Sequence, residues 1–182
     1  MIPNPLHPAI VHFPIVFAVL LPLVALGTLW WIRRGAAARR AWALPFALAG
    51  TLTLSAFIAV RSGQAQVERV ESAVGERPLE THEEAAELFL VLSGVLLGVT
   101  GVGLAPGLAG RAARVVATLG AIGLLGVGYR VGASGGELVY RHGAASVYAS
   151  HAGADTAGGA AAAPERVNGG NKETEKGEEG GG

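Results

Sequence analysis

Two imidazoles, His7 and His12, stand five residues apart in His7-Pro8-Ala9-Ile10-Val11-His12-Phe13-Pro14, where the first long apolar run begins. Histidine is the commonest metal ligand and titrates near neutrality without help. At the edge of hydrocarbon such a residue is a candidate for function. Three more histidines follow: His82 in Thr81-His82-Glu83-Glu84, His142 in Gly135-Gly136-Glu137-Leu138-Val139-Tyr140-Arg141-His142-Gly143, and His151 further on. Two chemistries fit such a set. A b-type haem needs two axial imidazoles from different helices and a dry slot. His12 and His82 are the best pair for it, because both belong to helix starts. A non-haem divalent ion would draw three or four of His7, His12, His82 and His142 together with a carboxylate, for which Glu137 is the best placed. His7 and His12 cannot share one helix face, since five residues turn a helix through about 500°.

The elements that must position these residues are read from composition and charge. The chain has 182 residues, of which 51% are hydrophobic and 15% charged. A soluble domain carries about 25% charged residues, so the balance is that of a membrane protein. Lys+Arg and Asp+Glu are equal at 14 each. Without a basic field, nucleic acid is not an expected partner. Cysteine is absent, which excludes iron–sulfur clusters, disulfides, c-type haem attachment and thiol catalysis. There is no HExxH, no glycine-rich phosphate loop and no serine–histidine–aspartate order, so hydrolysis has no visible nucleophile and enzymatic activity is left undecided.

Pro8 to Ile32 contains no Lys, Arg, Asp or Glu, longer than the ~20 residues that cross a bilayer. With no basic residue before Arg33, it reads as an uncleaved span rather than a signal peptide. Further uncharged runs cover 41–60 and 88–110. The run from 115 to 129 is shorter, but Arg114 and Arg130 can snorkel to opposite interfaces and extend it. The expected fold is all-α, an integral membrane four-helix bundle over residues 1–150. Its spans are about 10–32, 41–61, 84–106 and 112–132, and residues 151–182 form a disordered polar tail. Between spans two and three, Val67, Val70 and Val74 suggest a short amphipathic surface helix ended by Gly75 and Pro78. Thr81 and Glu84 have the form of a capping box opening helix three. Gly135-Gly136 is expected to break helix four, with Leu138-Val139-Tyr140 extended. Gly94 and Gly98 form a GxxxG, and Gly120, Gly123 and Gly126 recur at triplet spacing. Close helix packing is the default reading of both.

Arg33, Arg34, Arg39, Arg40, Arg111 and Arg114 lie in the first and third turns without an acid between them. The positive-inside rule then makes those turns cytoplasmic and puts both termini outside a bacterial plasma membrane. That topology gathers His7, His12, His82 and His142 on the outer side. The plainer alternative is that each histidine bridges water and hydrocarbon, or caps a helix, with no cofactor.

His-Pro-Ala-Ile-Val-His-Phe-Pro near the start, the His82-Glu83 pair and Gly-Gly-Glu-Leu-Val-Tyr-Arg-His-Gly resemble the bacterial membrane family known as domain-of-unknown-function family 2231, over roughly residues 5 to 148. The resemblance implies a four-helix membrane module, found alone or joined to Rieske or c-type cytochrome modules. The family's motif histidines correspond to His7, His12, His82 and His142. It implies an electron-transfer setting, and, because this chain has only a polar tail where a redox domain would be joined, a redox partner in trans. The expected function is haem b or metal binding for electron transfer. The competing expectation is a non-catalytic membrane interaction module without cofactor, whose glycine faces dock a partner or a second copy in a homo-oligomer.

Overall fold

The apolar runs become helices because each is long and uncharged, and in hydrocarbon a backbone must satisfy its own polar groups. A computed structural model describes residues 10–65, 67 and 76–141. They form four helices: α1 (His12–Arg33), α2 (Ala38–Gln64), α3 (Glu76–Val102) and α4 (Gly107–Tyr140). Even α1, the shortest at 22 residues, extends about 33 Å, enough to cross a hydrocarbon core of about 30 Å. All four are long and apolar enough to span a membrane. No strand occurs among the described residues.

The connections are short where the sequence provides turn chemistry. Gly35 adopts φ +100°. Its N–H donates to the Ile32 carbonyl at 3.0 Å and that of Ala36 to Trp31 at 3.3 Å. This is a Schellman motif, which needs a left-handed residue after the helix and so favours glycine. Each helix then packs on two neighbours: α1 on α2 and α4, and α3 on α2 and α4. Thus α1 and α3 are diagonal in the bundle.

Small residues let the backbones approach. Ala18, Ala25, Ala49, Ala56, Ala117 and Ala121 are buried in the core around Trp42, Leu52, Phe89 and Leu124. Lipid tails are as apolar as leucine, so van der Waals fit and interhelical hydrogen bonds hold such helices together. Trp42, fully buried, donates its indole N–H to the Thr100 carbonyl at 3.0 Å, tying α2 to α3. Thr53 Oγ1 reaches the Ser93 carbonyl at 3.1 Å on the same pair of helices. Outside lies a belt of exposed Phe13, Leu23, Leu54, Val91 and Leu119. Trp30 and Trp31 are exposed at the end of α1, where an interfacial aromatic belt belongs, and the Arg34 guanidinium lies 4.5 Å from the Trp30 ring centroid.

The α3–α4 interface has a regular register. Side chains at seven-residue intervals on α3 sit over glycines of α4. A Cβ added at Gly120 would lie 3.2 Å from Leu96 Cδ1, at Gly128 3.3 Å from Phe89 Cε2, and at Gly135 3.1 Å from His82 Cε1. The heptad interval is that of left-handed helix packing.

Several expectations are corrected here. Helix three starts at Glu76 rather than near residue 84, and Thr81 Oγ1 donates to the Arg77 carbonyl at 3.0 Å. Thr81 is therefore inside the helix and no capping box forms. Pro78 lies in the first turn, where a missing N–H costs nothing. Helix four runs from 107 to 140 instead of 112 to 132. The double glycine does not break it and Leu138-Val139-Tyr140 is helical, because Gly135 is the seat for His82 and the packing offsets the ~1 kcal/mol propensity cost of each glycine. Gly94 and Gly98 have no neighbour within 4 Å of an added Cβ, nor do Gly123 and Gly126. Of the two glycine patterns only Gly120 packs inside the bundle. Arg114 is buried rather than snorkelling outward. Val67 is helical, but Val70, Val74 and the tail 151–182 lie outside the described residues.

Candidate functional site

The alternating course of the helices places the start of α1, the end of α2, the start of α3 and the end of α4 at one end of the bundle. His12 and His82 lie about 32 and 30 Å along their helices from the opposite end, at 1.5 Å per residue. Their heights match; their directions differ. The buried residues Pro14, Ala18, Leu21 and Ala25 lie about 180–240° around α1 from His12 at 100° per residue. His12 is correspondingly exposed on the outer face of α1.

His82 is half-buried between α3 and α4. Its Nδ1 is 3.0 Å from Ser134 Oγ, and Ser134 Oγ donates to the Val131 carbonyl at 3.1 Å. A hydroxyl has one proton to give. With that proton given to Val131, the hydroxyl accepts from His82 in the tautomer that has Nδ1–H. Orientation of a ring through its distal N–H is the arrangement that metal-ligating histidines use.

Beside this contact is a cavity of about 250 Å³ lined by Arg77, Pro78, Thr81, Ser134 and Glu137. Ser134 and Glu137 are three residues apart on α4, hence on one face. Glu137 Oε1 also pairs with Arg141 Nη1 at 3.3 Å, both side chains being largely exposed. The structure therefore places Glu137 on the wall of this cavity, with His82 joined to it through Ser134, and leaves His12 on the outside of the bundle. His7, His142 and His151 lie outside the described residues. Among the described residues no three His, Asp, Glu or Cys side chains are grouped as metal ligands would be.

Sequence reasoning missed Ser134. A lone serine before two glycines reads as part of a break, and only the helix continuing through 140 turns its hydroxyl toward α3. It missed Arg77 and Thr81 as cavity walls for the related reason that α3 starts earlier than its hydrophobic run.

Four spanning helices with a belt of exposed apolar side chains and an α3–α4 seam of glycine seats define an integral membrane bundle. The chain belongs to the family of predicted membrane proteins DUF2231, whose model matches residues 3–147. No curated protein and no solved structure matches the chain.

Proposed function

We propose that this protein is a multi-pass plasma-membrane module with the histidine end outside, and that this end holds a redox-active divalent metal ion for electron transfer to a partner in trans. The observation that carries the reading is the His82–Ser134 contact. It orients the imidazole through Ser134, and Ser134 lines a cavity that Glu137 also lines. Imidazole and carboxylate together suit a first-row transition metal. His142 follows α4 by two residues and His7 precedes α1 by five, so both are chain neighbours of this end and are the further ligands we assign. Haem b is the less well supported cofactor. His12 is directed away from the bundle, and a cavity of about 250 Å³ is smaller than the roughly 300–1,000 Å³ of sites for larger ligands.

A second reading has its own observation. His82 continues the register of Phe89 and Leu96 over the glycines of α4, so the ring could serve packing alone in a module without cofactor. One experiment separates the readings. Purified protein is analysed for metals, titrated with Cu²⁺, Fe²⁺ and Zn²⁺, and its visible spectrum recorded, alongside His82→Phe. We expect stoichiometric metal in the parent and none in His82→Phe. A Soret band restores the haem reading, and metal-free, spectrally silent protein that takes up no ion leaves the packing role.

A further inference from the structure

The end of the bundle opposite the histidines contains a second cavity, of about 670 Å³, whose walls include Arg33, Arg39, Arg111 and Arg114 and no acidic residue. Arg33 comes from the last turn of α1, Arg39 from the first turn of α2, and the other two from the first turns of α4. The positive-inside rule gives a reason for arginines at this end. It gives none for burying one, since a charge that sets topology works best in water.

Arg114 is only 5% exposed. Among the described residues its side chain makes no hydrogen bond and no ion pair; the one side-chain donor that reaches Arg114, Thr118 Oγ1, goes to its backbone carbonyl. None of its side-chain nitrogens is sealed from solvent without a partner, and Arg114 lines the cavity. Its Nη2 lies 3.4 Å from where a Cβ of Gly110 would be, which places the guanidinium back toward the start of α4. A buried guanidinium without a counter-charge is strongly disfavoured.

The helix ends sharpen the point. Ala38 and Gly107, the first residues of α2 and α4, both line the cavity. Neither helix has a side-chain cap or an acid in its first turn. A helix N-terminus presents unsatisfied N–H groups and about half a positive charge, which disfavours arginine nearby and favours an anion. Four guanidinium groups and two uncapped helix starts thus surround one space with the same sign of charge. The turn is shaped to allow this. Gly107 has φ +75°, and a Cβ at Gly110 would collide with the Ala105 carbonyl, so only glycine lets the 103–106 connection fold against α4.

We propose that this cavity binds a phosphate group, carried either by the headgroup of an anionic phospholipid or by a small phosphate ester. Arg114 is the buried ligand, and Arg33, Arg39 and Arg111 complete the charge. Planar guanidinium forks match phosphate oxygens in pairs, and the cavity's position at a bundle end puts it at headgroup depth.

The test uses the full chain, purified in neutral detergent and delipidated, with its unfolding midpoint followed at constant ionic strength. One arm titrates inorganic phosphate against chloride. The other exchanges phosphatidylcholine nanodiscs for ones containing phosphatidylglycerol. The midpoint is expected to rise in at least one arm. Apparent affinity should fall about ten- to hundredfold in Arg114→Gln, the loss expected for a charge-assisted contact, and by a smaller factor in Arg39→Gln and Arg111→Gln. Arg40→Gln, which removes the same charge outside the cavity lining, should leave it unchanged. A response to inorganic phosphate identifies a free phosphate ester as sufficient, and a response to phosphatidylglycerol alone identifies the lipid. If Arg114→Gln does not fold, the Arg39 and Arg111 variants against Arg40→Gln make the same comparison. No response in either arm, or an equal loss in Arg40→Gln, overturns the proposal.

Discussion

At the scale of single residues, His82 combines a packing role with the chemistry proposed for it. Its ring sits over Gly135 and bonds Ser134, so a change that keeps the shape should separate the two roles. His82→Phe places at this position the side chain that Phe89 already uses one heptad on. Stability should change by less than ~1.5 kcal/mol, as for a volume-conserving swap, while any bound metal is lost; denaturant unfolding with metal analysis checks both. Ser134→Ala keeps the proposed ligand and removes only its orienting partner. Metal affinity should weaken about 10- to 100-fold, measured by competition with a chelator of known affinity. A metal-binding curve identical to the parent's would show that the hydroxyl plays no part in the site. Trp42 offers a purely structural counterpart. Trp42→Phe removes the indole N–H from the Thr100 carbonyl and should cost about 0.6–1.7 kcal/mol, the range of interhelical hydrogen bonds in membrane proteins.

At the scale of the elements, glycines with similar sequence spacing have different positions in the fold. Gly120 and Gly128 receive Leu96 and Phe89, while Gly94 and Gly98 have open space beside them. Gly128→Leu must push Phe89 or the whole of α4 away, at about 1–3 kcal/mol for overpacking. Gly94→Leu should stay within about 0.5 kcal/mol, as surface changes do. Thermal unfolding in detergent of the two single variants compares them directly, and an equal loss in both would mean that α3 presents a different face to α4. The same seam explains why α4 continues past Gly135-Gly136. Two glycines are a break only where nothing repays their backbone freedom, and here a partner helix does.

At the scale of the whole molecule, the two ends differ in chemistry. One gathers His82, Glu137 and several other carboxylates; the other gathers arginines without acids. The orientation proposed from the positive-inside rule has the arginine end in the cytoplasm. A reporter fused after residue 150 should therefore be active only outside, and one inserted near Gly35 only inside. Both reporters on one side would remove a span from the topology in the cell. Opposite assignments for both would invert the bundle and place the proposed metal site in the cytoplasm.

Composition and charge spacing alone determined that the chain spans a membrane four times, because uncharged runs of this length have no other stable state in water or lipid. They also determined which turns share a side, since alternating spans leave no choice. Helix ends were less legible. Pro78 and Thr81 sit in the first two turns of α3 but read as a stop and a cap, because a spanning helix can continue into water where hydropathy no longer marks it. The tertiary structure decided what faces what. His12 and His82 are equivalent in sequence, each near the start of a span, yet one points outward and the other into the α3–α4 seam, because helix rotation is set by the packing of neighbours. For the same reason Arg114, one arginine among six at its end of the bundle, is the one turned inward, beside Gly110, where the 103–106 connection folds against α4.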